Sequence, residues 1–215
     1  MKKQTFSTPK RVFNLIIVDE SGSMSVIRKQ AFAGMNETLQ TVRQMQQKYP
    51  VTEQFVTLVT FDSTHTKWHY DNTPAAQTRN LFWGAYNPSA ATPLYDAMGQ
   101  AIAKLNAQAG EDDNVLVTVI TDGEENSSQE WTLKMIRTMI EKLKKQHWTF
   151  TLIGTDNLDV ESMARDFHID NHLEFQQDEA GTVAMFARER RSRQRYNDCL
   201  NSNAPMAEGA FFNED

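Results

Sequence analysis

The fold is indicated by one short stretch of sequence, VFNLIIVDESGSMS, at residues 12–25. It opens with an apolar run, interrupted only by Asn14, and stops at the acidic pair Asp19 and Glu20. A short apolar run that ends at a polar turn favours a buried strand, and the helical spacing of apolar residues over 26–48 predicts a helix after it. We therefore expect a strand, a polar turn and a helix, in that order.

The same alternation continues along the chain. Short apolar runs predict strands at residues 55–61, 115–120, 148–153 and 173–175, and a hairpin partner or edge strand at 65–70. Helical spacing covers residues 93–109, 130–146, 160–167 and 182–195. Strands that alternate with helices predict the α/β class, with a doubly wound, mostly parallel sheet and right-handed crossovers.

The length of 215 residues favours one domain, since no long linker divides the chain. We expect the domain to cover residues 1–198. Residues 199–215 have little apolar pattern after residue 201, and we expect a flexible C-terminal tail there.

Composition narrows the class of partner and the compartment. The net charge of −6 argues against nucleic acid as the main partner. The five arginines within 188–195 favour a solvated helix face over a docking patch. A single cysteine, Cys199, fits a reducing compartment, and no apolar stretch approaches the roughly twenty residues that span a bilayer. The prediction is a cytoplasmic protein without a membrane partner.

Oxygen-bearing side chains follow two of the predicted strands. Asp19, Ser21 and Ser23 alternate after the first strand, and Asp122 closes the strand at 115–120. Ligands of open α/β sheets bind beyond the carboxyl ends of the strands, and neighbouring strands lie about 4.8 Å apart. If these two strands are neighbours, the carboxylates converge on one hard cation, and Thr92, ahead of its helix, could add a hydroxyl.

Such a site would be incomplete. Two carboxylates roughly neutralise a dication, the hydroxyls add no charge, and water fills the remaining positions. A carboxylate from another molecule can replace that water, and no adjacent base stands ready to activate a nucleophile. The pattern therefore favours a binding site. Taken singly, each residue also has a simpler explanation: Thr92 as a helix N-cap, the serines as turn residues, and Asp122 as part of a turn.

Three motifs together resemble the von Willebrand factor A family. They are D-x-S-x-S at residues 19–23, TPLYD at 92–96 and TDG at 121–123, and they are similar to the family's metal-ion-dependent adhesion site. The resemblance implies a six-stranded sheet with helices on both faces and one antiparallel edge strand, at 65–70. It implies Mg²⁺ or Mn²⁺ as the cofactor. The implied ligands are Asp19, Ser21, Ser23, Thr92 and Asp122.

The resemblance also carries expectations about ligand roles and partners. Ser21 and Ser23 would bind the metal directly, and Thr92 and the aspartates directly or through water. Ala91 stands where the family commonly has glycine, which leaves the geometry of that loop open. Some family members assemble with ATPases, so an ATPase-containing complex is a candidate partner; the chain itself has no G-x-x-x-x-G-K-[ST] motif.

The rim of the site is less sharply defined by sequence. Phe82, Trp83 and Tyr86 precede Thr92 and could anchor a partner, or pack against the core instead. Glu20 and Glu124 adjoin the ligands and are expected on the rim, solvated rather than bound to the metal.

Two other functions remain as alternatives. One is a Mg²⁺-dependent phosphohydrolase with Asp19 at the end of the first strand, although Ser21 stands where the haloacid dehalogenase-like pattern has a second aspartate. The other is a structural module without metal. The prediction is a non-enzymatic module that uses its metal to bind Asp or Glu of a protein partner.

Overall fold

The computed structural model describes residues 10–202, 204 and 206–213. Six strands form one sheet within this part of the chain. The strands are β1 (Lys10–Asp19), β2 (Thr52–Asp62), β3 (His65–Pro74), β4 (Asn114–Thr121), β5 (Trp148–Thr155) and β6 (Asn171–Phe175). The helices are α1 (Arg28–Lys48), α2 (Leu94–Asn106), α3 (Leu133–Leu143), α4 (Val160–Phe167) and α5 (Glu179–Ser202).

The strand order is β3-β2-β1-β4-β5-β6. β1 pairs in parallel with both β2 and β4, and only β3, the edge strand, runs antiparallel to its neighbour. The predicted α/β class, the mostly parallel sheet and the antiparallel edge strand are thereby confirmed. Because β1 and β4 are neighbours, with Val18 opposite Ile120, Asp19 and Asp122 leave the sheet at the same edge.

Helices cover both faces of the sheet. Alternate residues of β1 serve two cores: Leu15 and Ile17 pack with α2, α3 and α4, whereas Ile16 and Val18 pack with α1 and α5. Successive side chains of a strand point to opposite faces, so a strand buried on both sides must be apolar throughout. This is why residues 12–18 form an almost continuous apolar run.

Beyond the domain boundary predicted at 198, the described residues up to 213 include packed ones, which differs from the flexible tail that we expected there from sequence. α5 continues to Ser202, and the side chains of Phe211 and Phe212 are buried. The backbone N–H of Phe211 donates to Asn171 Oδ1 at 3.0 Å. Two buried aromatic side chains outweigh the polar composition around them, which is why the segment packs against the domain.

The arginines of α5 are not all solvated, which corrects the prediction that the five arginines within 188–195 form a solvated helix face. Arg193 is fully buried, and its guanidinium donates to Glu189 Oε1 at 2.7 Å, to Asn14 Oδ1 at 2.6 Å and to Thr118 Oγ1 at 2.9 Å. Arg195 donates to the carbonyl of Phe211 at 2.8 Å. These arginines hold α5 to the sheet and the C-terminal segment to α5.

Within the described residues, no helix combines the length and the apolar character needed to cross a membrane.

Candidate metal centre

Five side chains from three loops meet at the carboxyl edge of the sheet. The Ser23 hydroxyl donates to Asp122 Oδ1 at 2.7 Å, and the hydroxyl oxygens of Ser21 and Ser23 lie 3.2 Å apart. Gly123 lies between the remaining two: a Cβ atom there would come within 2.9 Å of Thr92 Oγ1 and 3.7 Å of Asp19 Oδ2. The structure thus brings together all of the predicted ligands, namely Asp19, Ser21, Ser23, Thr92 and Asp122.

Local structure explains why the side chains of these loops face one another. β1 ends at Asp19, and a 3-10 turn, Gly22–Ile27, bends the chain back so that the two serines face the end of β4. Thr92 is not the N-cap that it could have been: α2 begins at Leu94 after Pro93, without a side-chain cap. Instead the backbone N–H of Thr92 donates to Asn126 Oδ1 at 2.8 Å. The backbone N–H of Asn126 in turn donates to the carbonyl of Thr92 at 3.1 Å.

The site is deep, and its open side is at one serine. Asp19, Ser21, Thr92 and Asp122 are all at most 3% exposed, whereas Ser23 is exposed. Ser23 is therefore the member of the set that solvent reaches, whereas the two carboxylates are almost completely shielded.

Both aspartates carry an electrostatic cost. Burial raises the pKa of Asp19 from 3.8 to about 6, although the Thr121 hydroxyl donates to its Oδ2 at 2.7 Å and the Ser21 backbone N–H to its Oδ1 at 2.7 Å. The nearby Asp122 raises this pKa further, and burial also raises the pKa of Asp122, against the hydrogen bond from Ser23. No cationic side chain in the part of the chain that the structure describes pairs with either carboxylate, and two such neighbouring buried groups form an environment that a dication would stabilise.

The donor set is compatible with Mg²⁺ or Mn²⁺, since hard cations prefer oxygen ligands and keep several waters. The part of the chain that the structure describes contains no cluster of three or more His, Cys, Asp and Glu side chains able to hold a metal. This site differs from such clusters because it has two carboxylates and relies on hydroxyls for the rest.

Of the two alternatives for Tyr86, the structure shows packing against the core: its side chain is buried and does not form the rim. Its hydroxyl donates to the backbone carbonyl of Asp19 at 2.7 Å, and burial raises its pKa well above 10.0. The same loop continues to hold the ligand turn: Ser89 N donates to Glu20 O at 2.8 Å, and Gly22 N to Ala90 O at 3.1 Å. Tyr86 thus supports the backbone of Asp19, a predicted ligand, from the buried side of the site.

Glu20 is also buried rather than solvated on the rim. Its carboxylate accepts from the Thr60 hydroxyl at 2.6 Å, from the Lys67 ammonium at 2.8 Å and from the backbone N–H of Asn87. Burial by itself would raise the pKa of Glu20, but these donors outweigh it, and the pKa is lowered from 4.5. Glu20 therefore joins the β1 end to β2, β3 and the loop of Tyr86, out of reach of a partner.

The other two rim residues are accessible. Trp83 is 51% exposed, and its ring contacts Phe32 edge to face, with centroids 5.1 Å apart. Glu124 is exposed at the start of the loop after β4.

One residue of the site was missed by sequence reasoning. The side-chain amide of Gln177 donates to Asp122 Oδ2. Gln177 lies in the turn between β6 and α5, 55 residues away along the chain, and no motif marks it. The only available signal was its position after β6, because parallel strands end at the same edge of the sheet.

Several solved structures have the same fold. The vWF domain of the type V pili tip protein Mfa5 from Porphyromonas gingivalis superposes with a TM-score of 0.63 and 12% identity, over 94% of this chain and 99% of that one. The pilus adhesin SpaC from Lactobacillus rhamnosus GG, in its open conformation, gives 0.62 and 13%, over 87% and 30%. The SpRpn10 VWA domain gives 0.55 and 12%, over 83% and 94%.

At such identities these likenesses show the fold alone. The chain also spans only part of some matched proteins, such as 30% of SpaC and 65% of a PilB minor pilin variant from Streptococcus sanguinis. No curated protein matches the sequence. Residues 15–187 match the family model of the von Willebrand factor type A domain. Because this match covers most of the chain, the protein belongs to the von Willebrand factor type A domain family.

Proposed function

We propose that this domain binds Mg²⁺ or Mn²⁺ and uses the ion to capture an Asp or Glu side chain of a partner protein. The proposed ligands are Asp19, Ser21, Ser23, Thr92 and Asp122. The observation that carries the proposal is the pair of buried aspartates, which lie among hydroxyl groups and form no ion pair with a cationic side chain of the described residues. The family is one of protein-interaction modules, which supports a binding function.

The ligand set explains why the ion would remain able to bind another group. Two carboxylates balance the charge of a dication, and the hydroxyls of Ser21, Ser23 and Thr92 contribute no further charge. The metal would supply an electrophilic centre with positions held by exchangeable water. Ser23, the exposed member of the set, lies where an incoming carboxylate would approach.

The geometry favours binding over phosphoryl transfer. Asp19, the nucleophile of the alternative mechanism, has no exposed surface, and both of its oxygens accept hydrogen bonds from the protein. A carboxylate has about four lone-pair positions, so these hydrogen bonds leave room for a cation, whereas attack on phosphorus would also require the carboxylate to turn toward the substrate. This geometry supports the proposal of a protein partner that is bound over that of a substrate that is converted.

The setting in which the domain works is a separate proposal. A cytoplasmic location and an ATPase-containing complex remain predictions, as does the absence of a nucleic-acid or membrane partner. The similar structures include pilus proteins, Mfa5 and SpaC, so the fold occurs in proteins of that kind as well.

Thermal unfolding with and without metal tests the proposal. An ion present at about 100 times its dissociation constant stabilises the fold by about 2.7 kcal/mol, which raises the Tm of a domain of this size by roughly 5–10 °C. Asp122→Ala should abolish the rise. Asp113→Asn is the matched control, because Asp113 is buried at the other end of β4 and pairs with Arg11 at 2.6 Å. This variant should keep the rise.

No shift in the wild-type Tm at millimolar Mg²⁺ or Mn²⁺ would overturn the metal site. Capture of a partner is tested by pull-down in Mn²⁺ and in chelator, with Asp122→Ala in parallel. Metal-dependent turnover of phosphomonoesters that is lost in Asp19→Asn would instead establish the phosphohydrolase.

A further inference from the structure

We propose that the captured carboxylate belongs to a partner segment that also carries a large apolar side chain, and that this side chain binds to Phe82 and Trp83. The inference rests on the proposed function, since it describes the partner of the same metal site. It names the partner's chemistry and the direction in which the partner lies across the site.

Phe82 and Trp83 are consecutive and exposed. Phe82 is 75% exposed and Trp83 51%, although most large apolar side chains of the described residues are buried. An exposed aromatic pair leaves apolar surface in water, and its burial against a partner recovers roughly 25 cal/mol per Å². Tryptophan and phenylalanine are also enriched at the centres of protein interfaces.

The aromatic pair belongs to the loop that holds the metal ligands. Four residues after Phe82, the hydroxyl of Tyr86 donates to the backbone carbonyl of Asp19, and Ser89 N donates to Glu20 O. The loop is also tied to β2 through Ser89, whose hydroxyl donates to Asp62 Oδ2 at 2.7 Å. The pair therefore keeps a constant position relative to the site, so a partner that contacts both spends little conformational entropy on ordering it.

Trp83 is itself held in place. Its ring rests against Phe32, and the Arg28 guanidinium lies over it, with Cζ 4.5 Å from the ring centroid. Arg28 is in turn fastened to the loop, because its Nε donates to the carbonyl of Tyr86 at 3.0 Å. A tryptophan that is already oriented and half-exposed is a suitable anchor for an apolar side chain.

Charge sets the direction of the partner. Arg28 and the exposed Lys29 lie near Trp83, on a surface whose acidic residue, Glu37, is paired with Arg190. Glu124 is exposed in the loop after β4. An acidic segment is attracted by Arg28 and Lys29 and repelled by Glu124. Glu124 thus acts as a boundary that turns the partner toward Phe82 and Trp83, rather than as a contact.

The test uses a peptide array with one central aspartate and varied neighbours, probed with the full chain in Mn²⁺ and in EDTA. We expect the Mn²⁺-dependent binders to carry Trp, Phe or Leu close to the aspartate. For the tightest such peptide, Trp83→Ala should weaken binding about 5- to 30-fold, consistent with the loss of one buried aromatic contact. Glu124→Gln should strengthen it.

Val51→Ala is the matched control. Val51 is an exposed apolar residue just before β2, at the opposite edge of the sheet, and its loss should leave binding unchanged. The Mn²⁺-induced rise in Tm should be the same in Trp83→Ala as in the wild type, which separates a lost partner contact from a damaged metal site.

The outcomes distinguish the proposed role of Phe82 and Trp83 from the proposed capture of a carboxylate by the metal. If aspartate peptides bind in Mn²⁺ with no preference for an apolar neighbour, or if Trp83→Ala binds them as the wild type does, the inference is overturned and carboxylate capture stands. If apolar peptides bind equally in EDTA, the aromatic pair is a separate docking surface and the inference is again overturned. If Mn²⁺ raises the Tm but no peptide binds in Mn²⁺, carboxylate capture itself is overturned.

Discussion

Replacing Asp19 by asparagine should stabilise the metal-free protein and remove its response to divalent cations. Asp19 is fully buried and its pKa is raised from 3.8 to about 6, so the fold favours the protonated carboxyl. Its contribution to stability is fully present below about pH 4 and is lost as the pH rises through about 6. At neutral pH the ionised carboxylate thus destabilises the metal-free fold.

The size of the effect follows from the pKa. The difference between 3.8 and about 6 corresponds to about 3 kcal/mol at neutral pH. Asparagine has the same shape, and its oxygen can still accept from Ser21 N. Its amide can donate to the Thr121 hydroxyl, which can turn its own hydrogen to the carbonyl of Gly123 at 3.0 Å. We expect a net gain of about 1–3 kcal/mol, or roughly 3–10 °C in Tm.

Urea unfolding of the wild type and of Asp19→Asn, in EDTA at pH 7.5 and pH 4.5, measures this gain. The advantage of the variant should be largest at pH 7.5 and should shrink at pH 4.5, where the wild-type carboxyl is protonated. In Mn²⁺ the order should reverse, because only the wild type binds the ion. Asp113→Asn, which breaks the pair with Arg11, should be destabilised under all conditions. The reasoning is refuted if Asp19→Asn is less stable than the wild type in EDTA at pH 7.5.

Three further predictions concern the surroundings of the site, the packing of α5 against the sheet and the packing of the C-terminal segment. Gln177→Ala removes a donor to Asp122, so it should lower the Tm in EDTA but enlarge the rise caused by Mn²⁺; an equal loss in both conditions would contradict this. Arg193→Met leaves Glu189 buried and unpaired and should cost about 3–5 kcal/mol in urea unfolding, whereas the double variant with Glu189→Leu should recover most of that loss. Phe211→Ala should cost about 3–5 kcal/mol; a loss near zero would mean that the C-terminal segment is not packed in solution.

The parts of the fold that sequence predicted are those that local pattern determines. An apolar run such as residues 12–18 requires burial on both faces, and the order of runs then leads to a parallel sheet. The candidate ligands follow from the same logic, since the ends of neighbouring parallel strands must meet. From sequence, Asp19 and Asp122 could be placed together on the condition that their strands are neighbours, and the pairing of β1 with β4 meets that condition.

The features that sequence failed to predict, the burial of Arg193 and of Phe211, depend on contacts between residues distant in sequence. Arg193 belongs to a run of charges that is usually solvated, and its burial requires Asn14 and Thr118, which reach it from β1 and β4. Phe211 lies in a polar segment and gains its place only against α5 and Asn171. Composition within a short window carries no information about such partners.

Glu20 shows what the chain does when it compensates a buried carboxylate itself. Lys67, Thr60 and the Asn87 backbone all donate to Glu20, and its pKa falls below the ordinary value. Asp19, one residue earlier and equally buried, receives only neutral donors from the described residues, and its pKa rises. Among the described residues, the carboxylate of Glu20 thus has a cationic partner, Lys67, whereas the carboxylate of Asp19 has only neutral ones.

This contrast is the physical reason to expect a cation from outside. An uncompensated buried charge costs several kcal/mol, and a chain that already provides Lys67 for Glu20 could have placed an amide or an apolar residue at position 19. Asp122 adds a second carboxylate beside the first, which increases the cost in the metal-free protein. At neutral pH a dication shared by both carboxylates would offset the cost: the stability of Asp19→Asn in EDTA measures the cost, and the Mn²⁺-induced rise in the Tm of the wild type measures how much of it the ion recovers.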